Sequence, residues 1–181
     1  MELSNPLLKL DEFAVSLWLH TQNNPPEDEW DRALAENVRF LATHRIHPLQ
    51  LRSLVVTDGA APNAAQRAQL SRQVFRDHKC KISVVTTVLS NPVKRGVATA
   101  LKWINPNFGF FLPEQVPSAL DHLELAAWTS RIFGEYAKLA VKLPPNHTLQ
   151  LVREALAKGS GVHRQAIAAE PLPKKGGGDA A

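Results

Sequence analysis

Leu-Arg-Ser-Leu-Val-Val-Thr, residues 51–57, is followed at once by Asp58-Gly59 and, after Ala60-Ala61, by Pro62. A short run of branched apolar residues, a turn dipeptide and a proline suited to a helix's first turn read as strand, turn, helix. The helix is expected over residues 62–76. Upstream, Phe-Ala-Val-Ser-Leu-Trp-Leu-His, residues 13–20, is apolar on both faces and reads as the first strand, with residues 3–10 as a weak preceding strand or loose arm. Pro25-Pro26 and the acids Glu27, Asp28 and Glu29 then open a helix, because acids complement the positive end of the helix dipole. Trp30, Leu34, Val38 and Leu41 recur on one face of it, and Pro48 stops it after about Thr43.

Downstream the alternation repeats. Residues 81–87, Lys-Ile-Ser-Val-Val-Thr-Thr, form the third strand. Ser90 or Asn91 can cap the next helix, with Pro92 in its first turn and Val93, Val97, Leu101 and Ile104 on its inner face. Asn105-Pro106-Asn107 ends it, and Phe-Gly-Phe-Phe-Leu, residues 108–112, is a fourth strand. Three helices follow: 114–123, then 126–142 through Trp128, Ile132, Tyr136 and Leu139, then 147–158 through Leu149, Val152 and Leu156. Strand and helix in alternation predict an α/β fold with a mostly parallel sheet of four to five strands, flanking helices and additional C-terminal helices. A single domain spans residues 1–159, with its helical extension over 126–159; residues 160–181 read as a disordered tail holding four of the nine glycines.

The chain has 181 residues, 44% hydrophobic and 21% charged, enough to bury a core without disulfides. Cys80 is the only cysteine, so disulfides within the chain and sites needing two thiolates are excluded. Lys79 and Lys81 beside it could favour its thiolate, although no base accompanies it. The N-terminus lacks a basic region followed by a long apolar one, and no run reaches the eighteen or so apolar residues of a membrane span. A cytoplasmic protein is expected. The net charge of +4 is uneven: residues 1–36 carry −6, and five bases without an acid lie between Asp77 and Glu114. Such a stretch could attract an anion, but its bases are spread over several elements, with no signature of nucleic-acid recognition.

In an open α/β sheet, ligands bind beyond the carboxyl ends of the strands. The candidates there are Thr57 and Asp58 after the second strand, Thr86 and Thr87 after the third, and Ser90, Asn91, Lys94 and Arg95 at the following helix start. Free amides at such a start, with Lys94 and Arg95 beside them, suit an anionic small molecule or a lipid headgroup. No phosphate-binding glycine loop, dinucleotide fingerprint or hydrolase elbow is present. A receiver domain would need an acidic pair after the first strand and a lysine after the last; these places hold His20-Thr21 and Leu112-Pro113. His44 and His47 are three apart in a loop without further ligands nearby, so no metal and no cofactor is expected; the seven histidines read as solvent-exposed or helix-end residues.

The Leu-Val-Val-Thr-Asp-Gly run (residues 54–59) before a helix, and the Lys-Arg-Gly-Val-Ala-Thr-Ala-Leu stretch (residues 94–101) before Asn-Pro and a Phe-rich strand, give a succession that resembles the SpoIIAA-like or STAS type of domain over residues 10–125. The resemblance implies a small, non-enzymatic cytoplasmic regulator that docks a protein partner. In phosphoregulated members a serine or threonine opens the helix after a central strand. The matching residues 58–63, Asp-Gly-Ala-Ala-Pro-Asn, hold neither, so no phosphoserine switch is implied. The alternatives are a binding protein for an anionic small molecule or lipid headgroup at the strand ends, and an enzyme with a site built there. A cavity of several hundred Å³ at those ends favours the alternatives; a filled rim with an exposed apolar patch favours the docking module.

Overall fold

A computed structural model describes residues 3–90 and 105–168. Its strands are β1 (Leu3–Ser4), β2 (Leu7–Leu10), β3 (Phe13–His20), β4 (Leu51–Thr57), β5 (Lys81–Thr86) and β6 (Phe108–Phe111). Its helices are α1 (Glu27–Thr43), α2 (Ala64–Leu70), α3 (Val116–His122), α4 (Thr129–Ala140) and α5 (His147–Ala168). β3, β4, β5 and β6 lie side by side in chain order, all parallel. β1 and β2 both pair antiparallel with the outer edge of β3, as one edge strand broken at Asn5-Pro6. The sheet is thus mixed and mostly parallel, five strand positions wide. The arm expected over residues 3–10 is this edge, turned back on β3 through Asp11 at φ 36°.

Both faces of the sheet are covered, which is why β3 is apolar on both. Val15, Leu17, Leu19, Leu54, Val56 and Val85 point to one face, under α3, α4 and α5. Ala14, Trp18, Leu51 and Ile82 point to the other, with Trp30, Ala33, Leu34 and Leu41 of α1 and Val74 and Phe75 after α2. Crossovers from one parallel strand to the next are right-handed, so α1 and α2 fall on the same face.

Several boundaries differ from expectation. The helix expected over 62–76 starts at Ala64 behind an Asn63–Gln66 capping box and gives way at Ser71 to a π-helical turn through Phe75. Left-handed Arg76 and Asp77 then end it. The third strand stops at Thr86, the fourth at Phe111, and 3-10 turns at Pro113–Gln115 and Ala126–Trp128 precede α3 and α4. α5 continues past Gly159 to Ala168, beyond the point where the sequence reading starts a tail. The helix expected between Pro92 and Ile104 lies outside the described residues.

On α1 the inward face is Trp30, Ala33, Leu34, Asn37 and Leu41, while Val38 is 36% exposed. A polar residue takes the place expected for the valine, and its partners explain that. Asn37 Nδ2 donates to Ala33 O at 2.7 Å. Its Oδ1 and that of Asn5 each lie 3.0 Å from Ser16 Oγ. One hydroxyl proton serves only one of them. Asn37 must keep its oxygen toward Ser16, so Asn5 completes the pair by turning its amide to donate to Ser16 Oγ. These three buried side chains tie α1 to β3 and the edge arm.

At the amino ends of the strands, Arg52 is 7% exposed and donates to Leu123 O, Leu49 O and the Glu124 carboxylate. Its guanidinium also lies 4.3 Å from the Phe13 ring centre. Lys81 pairs with the same carboxylate at 2.8 Å. Hydrogen bonds from Lys81 and then Arg52 hold the Glu124 carboxyl below its ordinary range. Cys80 is buried, with Sγ 3.1 Å from Pro48 O, and burial pushes its thiol up to about 11. The flanking lysines do not make it a thiolate, and it is a passive core residue.

Candidate functional site

Register across the four parallel strands builds the floor of a cavity. Trp18, Val55, Val84 and Phe110 are lateral neighbours in one row on the α1–α2 face. One step toward the carboxyl ends, His20, Thr57 and Thr86 form the next row. One step back, Ser53, Ile82 and Phe108 form a third. Above this floor lies a cavity of about 300 Å³, walled by Trp30 of α1 and by Leu70 and Phe75 at the end of α2. The loop Gly59–Pro62 and Arg67 close its carboxyl-end rim. The volume is at the small end of the range for ligand pockets, roughly 300–1,000 Å³. Its described floor and walls are mostly aromatic and aliphatic, with His20, Ser53, Thr57 and Thr86 the polar members of the floor.

The polar groups in this apolar setting are few. Trp18 stacks on His20 with ring centres 6.0 Å apart and an interplanar angle of 9°, and packs against Trp30 at 5.4 Å. The Trp18 indole donates to Ser53 Oγ at 3.2 Å. The Trp30 indole Nε1 and the His20 Nδ1 are buried and have no hydrogen-bond partner among the described residues. Their residues are 1% and 3% exposed. Burial lowers the His20 pKa from 6.5 to about 4, so its imidazole is neutral at neutral pH. A buried polar group without a partner costs on the order of 1–3 kcal/mol. Two of them on residues that line one largely apolar cavity suit a site completed by something outside the chain.

The expected site residues divide. Thr57 and Thr86 line the cavity. The Thr57 hydroxyl, however, donates to Ala60 O at 2.8 Å and accepts from Gly59 N at 3.0 Å, so it shapes the rim. Thr86 Oγ1 accepts from Val88 N at 3.3 Å. Asp58 turns to the opposite side of the sheet. Its carboxylate accepts from the backbone N–H of His147 at 2.9 Å and of Thr148 at 2.7 Å. It therefore caps α5, an anion supplied by the chain itself to a helix N-terminus. Asn146 donates to His20 O at 2.7 Å, and Thr148 Oγ1 to Thr57 O at 3.0 Å, so the start of α5 is fastened to the ends of β3 and β4. Thr87 begins the 3-10 turn Thr87–Ser90, while Asn91, Lys94 and Arg95 lie outside the described residues.

Because Asp58 is a cap, Asp58→Ala is expected to lower the unfolding free energy by about 1–2 kcal/mol. Urea denaturation measures this. A variant as stable as the wild type would show that the carboxylate does not hold α5.

The sequence does not single out Trp30, which reads as an ordinary member of an apolar stripe, or His20. His20 is buried, against the expectation that the histidines lie in solvent or at helix ends. Its signal in the sequence is weak: a histidine two residues after a tryptophan shares that tryptophan's face of the strand. Elsewhere, His44 packs on Phe40, and His47 Nδ1 accepts from Leu49 N. No group of three or more potential metal ligands occurs among the described residues. No helix among them is long and apolar enough to cross a membrane.

No family model, curated protein or solved structure matches this chain. The cavity and its chemistry therefore carry the functional reading.

Proposed function

We propose that this chain is a non-enzymatic binding module that takes a small, largely apolar molecule into the cavity between the sheet and α1–α2. The observation that carries this reading is the pair of unpartnered buried groups, Trp30 Nε1 and His20 Nδ1, on residues of a cavity whose described lining is mostly aromatic and aliphatic. Apolar walls supply affinity and a few fixed polar groups supply orientation, the usual division in such sites. Among the described residues no carboxylate or nucleophile hydrogen-bonds the neutral imidazole, and a neutral histidine stacked on tryptophan is poorly placed for acid–base work. A regulatory role, with the bound molecule altering how the domain docks a protein partner, joins this reading to the resemblance to STAS-type domains.

Calorimetric titration with 2-naphthol, a neutral two-ring probe, tests the reading. Saturable binding is expected for the wild type. Val84→Trp fills the floor of the cavity and is expected to abolish it while leaving a cooperative thermal transition. The wild type binding no probe, or the variant binding as well as the wild type, would contradict the proposal.

A further inference from the structure

The cavity's chemistry narrows the ligand, on the premise that the cavity is a binding site. We infer that the ligand is an aromatic monocarboxylic acid, its ring system against Trp18 and Trp30 and its carboxylate toward Arg67.

Three observations lead there. First, among the described residues the cavity lining has Arg67 as a cation and no Asp or Glu. A cationic ligand would find aromatic faces but no counter-charge, and would sit beside a like charge. Second, the unsatisfied groups demand an acceptor. An indole N–H can only donate, so Trp30 Nε1 needs a ligand oxygen or nitrogen lone pair. Arg67 is exposed at the rim on α2, donates one N–H to Pro62 O, and has no carboxylate partner among the described residues. That leaves most of its five donors for a ligand. Guanidinium and carboxylate match in a two-pronged geometry that a neutral hydroxyl cannot reproduce. Third, the walls favour flat rings. Trp18, Trp30, Phe75, Phe108 and Phe110 line a space of about 300 Å³ and offer ring faces on which a flat body stacks. One rim cation among the described residues and one face of rings suit a single acidic group on a compact aromatic body. Arg67 stands on α2, and the Lys94–Arg95 pair singled out by the sequence lies outside the described residues.

The test compares three probes of one ring system by calorimetry: 2-naphthoate, 2-naphthol and 2-naphthylmethylammonium. The expected order is naphthoate tightest, naphthol about tenfold weaker, and the ammonium weaker still. Arg67→Gln should weaken naphthoate about tenfold and leave naphthol unchanged, while Arg67→Lys should retain much of the preference. Naphthoate binding should also weaken as salt rises, since the guanidinium is exposed. Naphthol affinity in each variant serves as the check on folding. If naphthol binds and naphthoate binds no tighter, or if Arg67→Gln leaves naphthoate unaffected, the carboxylate assignment is overturned and the cavity reading stands. If none of the three binds, the cavity reading itself fails and takes this one with it.

Discussion

Tyr136→Ala is expected to lower the unfolding free energy by about 3–5 kcal/mol, whereas Tyr136→Phe should cost only about 1 kcal/mol. Tyr136 is wholly buried on α4, in the core between the sheet and the C-terminal helices. Its hydroxyl donates to Leu54 O at 2.7 Å and lies 3.4 Å from Trp18 O, and its ring packs against Phe133 at 5.5 Å. Burial raises its phenol well above the ordinary range, so it is a neutral donor throughout the accessible pH span. The alanine variant loses a large buried ring and leaves a cavity, while phenylalanine loses only the hydrogen bond. Urea denaturation with unchanged slope would measure both differences. An alanine variant within about 1 kcal/mol of wild type would mean that α4 is not docked on β3 and β4 as described.

The second large effect is a loss of stability in mild acid. His20 titrates near 6.5 when unfolded but near 4 when folded, because burial disfavours its charged form. The unfolded chain therefore takes up a proton at a pH where the folded one does not. The stability at stake is fully present above about pH 6.5 and is lost as the pH falls toward 4, by up to about 3 kcal/mol. Below that, the folded imidazole protonates as well and the loss from this source levels off. Glu124, held low by Lys81 and Arg52, loses its contribution in the same direction at more acid pH, so the wild-type curve alone does not isolate His20. The difference between wild type and His20→Phe does. Stability measured from pH 4 to 7.5 should fall less steeply in the variant over the 4–6.5 interval. Parallel curves would show that His20 is not buried as a neutral ring.

How much of this was legible depends on how local the cause is. β3, β4, β5 and β6 were readable within a residue or so because their apolar runs are bounded by Asp58-Gly59, Asn105-Pro106-Asn107 and Pro113. The parallel sheet followed from the alternation of these runs with helical patterns. The inner face of α1 was legible except at Val38 and Asn37, where a hydrogen-bonded triad with Ser16 and Asn5 overrode the apolar period. No sequence spacing announces a partner 21 residues away. The site was less legible. Strand-end logic found Thr57 and Thr86 but assigned Asp58 to a ligand, because the sequence does not show that the start of α5, ninety residues on, returns to that carboxylate. It passed over His20 and Trp30 because burial without a partner is a property of the folded surroundings. Arg67 was one base among many until register and helix packing set it on the rim of a cavity whose described lining holds no acid.

A small apolar molecule in the space between the sheet and α1–α2 would touch Trp30. The most direct measurement follows the indole N–H resonances of the four tryptophans by two-dimensional NMR as 2-naphthol is added, with Trp30 assigned by its absence in Trp30→Phe. Trp30 walls the cavity, while Trp128 packs against the core on the opposite face of the sheet. The account predicts a saturable shift of the Trp30 indole proton toward the hydrogen-bonded range, with the Trp128 resonance unmoved. A Trp30 resonance that stays in place while the probe binds, or a shift larger at Trp128 than at Trp30, would contradict it.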